Sequence, residues 1–147
     1  MSYQETIASY AQVPGGIIEA FHAVEKQLGY LPEEAIAEAA KVFKVPAAQA
    51  YGVASFYSMF STQARGRNVI RLCESAPCHV AGASELVAAL EQELGIRMGE
   101  STQDGLFALE FTECVGQCQS TPVLTINGKP YLDLTPARVP DILSEYR

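Results

Sequence analysis

The sequence is short of positive charge. Lys and Arg number 10 against 17 Asp and Glu, a formal net charge of −7. That sign is a poor match for phosphate backbones and for anionic membrane surfaces, so nucleic acid and charge-driven membrane binding are set aside. The chain also lacks any apolar run of about 18 residues, which excludes a membrane-spanning helix. Its opening, MSYQETIASYAQVPGG, has neither the basic n-region nor the apolar h-region of a secretory leader. The expectation is a cytoplasmic protein that reaches any membrane only through partners. A Gly-rich dinucleotide fingerprint and a P-loop are absent as well, so the chain is not expected to bind a nucleotide cofactor itself. Cysteine is scarce, with four in 147 residues. A domain of about 150 residues buries about 68–70% of its unfolded surface, so these four are not needed as staples. In a reducing compartment they read as a metal or redox site before they read as disulfides.

What is present divides near Arg65-Gly66-Arg67. Before that point the pattern is helical. Ile17, Ile18, Phe21, Val24 and Leu28 form an i, i+3, i+4 stripe, and Gly29 suits the end of that helix. PEEAIAEAAKVF places Pro32 at a first helical position, with acids in the first turn. A third helix runs from Pro46 through FYSMF. After Arg67 the period changes. NVIRLC reads as a strand, ASELVAALEQELG as a helix with Leu86, Leu90 and Leu94 on one face, and LFALEFTEC as a strand with Phe107, Leu109 and Phe111 inward. PVLTI and PYLDL flank an Asn127-Gly128 hairpin turn, and PARVPDILSEY closes as a helix. The expected architecture is α/β: a three-helix segment over residues 1–64, then a β-α-β-β-α domain over residues 65–147.

All four cysteines fall in the second part, in two loops. Cys73 and Cys78 are C-x4-C, Cys114 and Cys118 are C-x3-C, and 35 residues lie between the loops. Both loops follow the C-terminal ends of strands, where ligands gather in open α/β layers. Neither loop is the C-x2-C knuckle of structural zinc sites or of thioredoxin-type dithiols. The plant-type and bacterial ferredoxin runs fail too, because Ala81 stands at a required cysteine and Gln119 follows Cys118. Three readings stand on spacing alone: a [2Fe-2S] rhomb taking two thiolates from each loop, a zinc site, and four unrelated thiols. Gly116, inside the second loop, suits a turn that brings backbone close to a cluster.

These residues resemble a known family. RLCESAPCHVAGA and LEFTECVGQCQSTPVLTINGKPYLDLTP, with VASFYSMF upstream, are similar to the thioredoxin-like [2Fe-2S] ferredoxins. That group includes the 24 kDa subunits of NADH:quinone oxidoreductases and the small subunits of NAD-linked formate dehydrogenases and electron-bifurcating hydrogenases. The resemblance implies a thioredoxin-like domain and one [2Fe-2S] cluster held by Cys73, Cys78, Cys114 and Cys118. It implies one-electron transfer to or from the flavin- and NAD(H)-binding subunit of an oxidoreductase complex. The chain would then have no substrate-binding catalytic site of its own. The reading from a different class is a zinc-stabilised interaction module with no redox role. Gln117 and Thr121 depart from the family's usual small residues, which touches the tuning of the potential and not the ligand set.

Several residues outside the ligand set need a reading. His79 follows a ligand directly and reads as a residue that packs or hydrogen-bonds beside the site, since four cysteines already satisfy two irons. His22 reads as surface. Pro122 taken alone is an ordinary strand-opening proline, whereas the resemblance implies a position like the cis-proline of thioredoxins. Phe56, Tyr57 and Phe60, at helical spacing, read as a core stripe, with a partner-facing aromatic patch as the alternative.

Overall fold

Ser2 opens a helix that the sequence reading did not include. In the computed structural model, which describes residues 1–147, α1 spans Tyr3–Ser9. The Ser2 hydroxyl accepts the Glu5 N–H, and the Glu5 carboxylate accepts the Ser2 N–H at 2.7 Å. This reciprocal box satisfies two donors that a bare helix start leaves orphaned. The first unit, Met1–Ala64, therefore has four helices and not three. The others are α2 (Gly16–Leu28), α3 (Glu33–Val42) and α4 (Ala47–Phe56). Gly29 ends α2 in the left-handed region at φ 84°. Pro32 is the N-cap of α3, with extended ψ 155°, and not its first helical residue.

The core of this unit mixes a few large side chains, Ile7, Phe21, Val24, Leu31, Ile36 and Phe60, with alanines. Ala20, Ala35, Ala39, Ala50 and Ala54 are fully buried, and small contact residues let helix axes approach closely. The aromatic stripe is only partly a core stripe. α4 stops at Phe56, and Tyr57 is already extended. Phe60 thus reaches the core from outside the helix, edge-on to Phe21 with ring centres 5.9 Å apart. Phe56 stays 79% exposed. His22 is exposed, its ring resting against Phe60.

The second unit, Arg65–Arg147, is built on a four-stranded sheet. Its strands are β1 (Asn68–Cys73), β2 (Phe107–Thr112), β3 (Leu124–Ile126) and β4 (Lys129–Tyr131), in the order β2-β1-β3-β4. β1 and β2 are parallel and the other two pairings antiparallel. Asn127 and Gly128, at φ 51° and 84°, make the two-residue turn between β3 and β4. The parallel pair needs a crossover. It contains α5 (Ala76–Val80), a short helix not foreseen, and α6 (Ala83–Leu94). A 3-10 turn at Pro136–Arg138 leads into α7 (Val139–Ser144). Leu86 and Leu90 of α6 join Ile70, Leu72, Leu109 and Leu124 in one buried cluster.

Two details fix where β1 and β2 lie. Gly66 sits so close to β2 that a Cβ there would overlap the backbone of Phe107 and Ala108. Its N–H donates to the Ser101 hydroxyl at 3.1 Å. The register then runs from Asn68↔Phe107 to Cys73↔Thr112, so both strands end at the same level. Phe111 shares a face with Phe107 and Leu109, as alternation requires, but it is 46% exposed. It is the last of the three along the strand.

Candidate metal centre

The parallel pairing of β1 and β2 brings the cysteine loops together. Cys73 is the last residue of β1, and Cys114 lies two residues beyond its partner Thr112. Cys78 is carried back by the turn of α5, whose start at Ser75-Ala76-Pro77 has an extended Ser75 N-cap and a proline in the first turn. Cys118 opens a 3-10 turn, Cys118–Ser120, which leads through a cis Thr121–Pro122 bond to β3.

The sulfurs fall as two pairs, one per loop. The Cys114 and Cys118 sulfurs are 3.3 Å apart. Cys73 and Cys78 lie close enough for each thiol to shift the other's titration. Between the pairs, Cys118 lies within electrostatic reach of both Cys73 and Cys78. No three His, Cys, Asp or Glu side chains are gathered around one point. The pairs differ in cover: Cys73 and Cys78 are each 2% exposed, whereas Cys114 and Cys118 are exposed.

One backbone N–H reaches a sulfur directly. Gly116, at φ 78°, turns its N–H onto the Cys114 sulfur at 3.4 Å. At the other loop, the Ser75 N–H and hydroxyl and the Val115 N–H favour the charged form of Cys73, and the Val123 N–H favours that of Cys78. Burial pushes the Cys73 thiol up, but the Ser75 donors, Cys78 and Val115 outweigh it, and the net shift is downward. Cys78 is raised, by burial first and then by its bond to Cys73. Cys118 is raised chiefly by its bond to Cys114. Hydrogen bonds to the charged form favour a thiolate, which is the form that binds metal. Four thiols in two pairs, with donors aimed at sulfur from both loops, fit an iron–sulfur cluster.

Of the residues singled out beside the four cysteines, His79 is exposed on α5 and its N–H donates to the Ser75 carbonyl at 3.0 Å. Its side chain lines a cavity of about 300 Å3 together with Cys73, Glu74, Ser84, Val87 and Phe111. Gln117 is half-buried and its side-chain carbonyl accepts from Gln119 at 2.7 Å. Sequence reasoning pointed to Gly116 and missed the other donors. Ser75 had a signal, since Ser before Ala-Pro marks a helix start. Val115 and Val123 had none, because backbone donors carry no residue signature.

Comparison with known proteins agrees with this geometry. The family model described as thioredoxin-like [2Fe-2S] ferredoxin matches residues 3–147. An NADH-quinone oxidoreductase subunit from Escherichia coli (strain K12) is 42% identical over 130 residues, covering 88% of this chain and 78% of that protein. The NADP-reducing hydrogenase subunit HndA of Solidesulfovibrio fructosivorans is 37% identical over 140 residues, covering 95% of this chain and 82% of that one. A crystal structure of NAD+-reducing [NiFe]-hydrogenase in the air-oxidized state superposes with a TM-score of 0.75 at 28% identity over 86% of this chain. The match spans only 22% of the hydrogenase chain. A match along nearly the whole sequence and a site of paired thiols give one conclusion: the chain belongs to the thioredoxin-like [2Fe-2S] ferredoxin family, and its cofactor is one [2Fe-2S] cluster.

Proposed function

We propose that Cys73, Cys78, Cys114 and Cys118 are the cluster ligands, and that the chain is the electron-transfer subunit of an NAD(P)H-linked oxidoreductase complex. The observation that supports the ligand assignment is that two parallel strands end at one level with a two-cysteine loop after each, the Cys114 and Cys118 sulfurs being 3.3 Å apart. Each loop holds one iron: Cys73 and Cys78 one, Cys114 and Cys118 the other. When bound, the cluster supplies a carrier of one electron at a time. The protein supplies the thiolates, the N–H donors from Ser75, Val115, Gly116 and Val123, and the apolar cover over the first pair. The second pair, being exposed, is the side a partner can approach. The ligand-bearing domain is residues 65–147, and residues 1–64 contribute no ligand.

The partner is the flavin- and NAD(H)-binding subunit of the same complex, with the chain cytoplasmic. Support comes from the relatives, which belong to an NADH-quinone oxidoreductase and to an NADP-reducing hydrogenase. The sequence itself carries no nucleotide fingerprint, so hydride chemistry falls to the partner. No helix is long and apolar enough to cross a membrane.

Anaerobic purification tests the reading. Iron and acid-labile sulfide should appear in the equal ratio the cluster formula fixes, with a paramagnetic EPR signal after dithionite reduction. Stoichiometric zinc and a colourless protein would overturn it. Co-expression with the adjacent flavoprotein subunit should yield a complex in which NADH reduces the cluster.

A further inference from the structure

One group of charges on the sheet has no part in the ligand set. Glu110 of β2 accepts from Arg65 Nη1 at 3.0 Å on one carboxylate oxygen and from Arg71 Nε at 3.0 Å on the other. All three side chains are largely covered, at 12%, 29% and 26% exposure for Arg65, Arg71 and Glu110. Arg71 and Glu110 are register partners across the parallel pair, and the pair two residues further on is Cys73↔Thr112. Residues i and i+2 of a strand share a face, so Arg71 and Cys73 point to the same side of the sheet. At about 3.3 Å per residue, Arg71 is one side-chain step from the first ligand. Charges of both signs are thus fixed on the strand pair that ends at the site.

We propose that the Arg65–Glu110–Arg71 triad sets the reduction potential of the cluster, with Glu110 and Arg71 as positioning residues that touch neither ligand nor cluster. One-electron reduction adds one negative charge at the four-thiolate site. Arg71 beside Cys73 favours that charge, and Glu110 opposes it. Partial burial matters here, because water screens covered charges less than exposed ones. An ordinary surface ion pair contributes about 0–1 kcal/mol to folding and would leave the potential where it is.

This rests on the ligand assignment above and on nothing about the partner. The test is an EPR-monitored potentiometric titration of the full-length, cluster-loaded protein, with thermal melts of each variant alongside. Glu110→Gln, which removes the negative charge, should raise the potential. Arg71→Gln, which removes a positive one, should lower it. Arg71→Lys keeps the charge and should stay near wild type. A triad that only braced the strands would shift both neutralising variants the same way, or neither, and either result overturns the proposal. If Glu110→Gln does not load, Arg71→Gln against Arg71→Lys decides: a lower potential for Gln alone supports the proposal, and equal potentials overturn it. Failure of the wild type to hold iron and sulfide would sink the ligand assignment instead, so the two ideas fail separately.

Discussion

The two units of this chain solve the same problem with different materials. Met1–Ala64 packs helices on alanines and holds no cysteine, while Arg65–Arg147 packs Leu86 and Leu90 of a helix against Phe107 and Leu109 of its sheet and holds all four. A helix presents neighbours at i, i+3 and i+4, all close in sequence. A parallel strand pair brings together positions far apart in sequence and sets them at one level. Four thiolates from two distant loops need the second kind of scaffold. The comparison teaches that bringing the two cysteine loops to one level is the work of strand register, which the helical unit does not contain.

The sharpest way to break that comparison is to remove a ligand. Cys78→Ala should abolish the visible absorbance and the bound iron, whereas no substitution within residues 1–64 should do so. A Cys78→Ala protein with the wild-type spectrum would contradict the ligand assignment. Next in size is Phe21→Ala, which empties a fully buried site. It should cost about 3–5 kcal/mol. In urea, the helical circular-dichroism signal should fall at lower denaturant than in wild type while cluster absorbance persists. Coincident loss of both signals would show that the units do not unfold separately.

Gly66→Ala probes the other unit. The added methyl must displace the β2 backbone at Phe107 and Ala108. A cost of about 1–3 kcal/mol is expected. Here the order of loss should reverse, with cluster absorbance disappearing before helicity. A smaller effect is expected from Ser2→Ala, about 0.5–2 kcal/mol from a lost cap, read as an earlier thermal transition with unchanged absorbance.

The smallest effects concern pH and three groups of the second unit. Glu145 is held below its usual range by the Tyr131 hydroxyl and by Lys129. Asp104 is held below its own by the Thr102 hydroxyl and the Leu106 N–H. Their folded values lie under their unfolded ones, so their contribution is present above the unfolded value and is lost as pH falls through the folded one. Tyr131 behaves oppositely. Burial, ahead of its Tyr146 and Glu145 partners, pushes it up to about 12. Its contribution is full below the unfolded value of about 10 and is lost as pH rises through the folded one. Tyr131→Phe should remove the alkaline fall in melting temperature. An unchanged alkaline limb would count against it.

Much of this was legible in the sequence, for identifiable reasons. A β-type run marked β1, period-two alternation marked β2, and Leu86 and Leu90 marked α6. Asn127-Gly128 admits few turns. The C-x4-C and C-x3-C loops pointed to the four cysteines, and the resemblance to a known family pointed to the cluster. The errors were local or long-range. α1 was missed although Ser2 and Glu5 carry the capping signature. α5 is five residues long, too short for a periodic signal. α4 was run on to Phe60, because aromatic spacing continues past Phe56 while the backbone does not. Phe111 was assigned the right face, but being on that face does not ensure cover at the end of a strand. The Glu110 triad joins residues up to 45 apart, and no local pattern announces such a contact. The unequal cover of the two cysteine pairs depends on how α5 folds back, which spacing does not record.

The parallel pairing of β1 and β2 carries a consequence for biosynthesis. A hairpin can close as soon as its second strand emerges, but this pair waits for the crossover from Glu74 to Leu106. Until β2 has docked, a nascent chain offers the Cys73 and Cys78 thiols alone. Domains fold as units during synthesis, at about 5–20 residues per second. The interval between the first thiol pair and the last is therefore a few seconds, during which half a site is open to oxidants and to stray metal ions. On the proposed ligand set, the complete site exists only once the chain is long enough to bring the second loop to the level of the first.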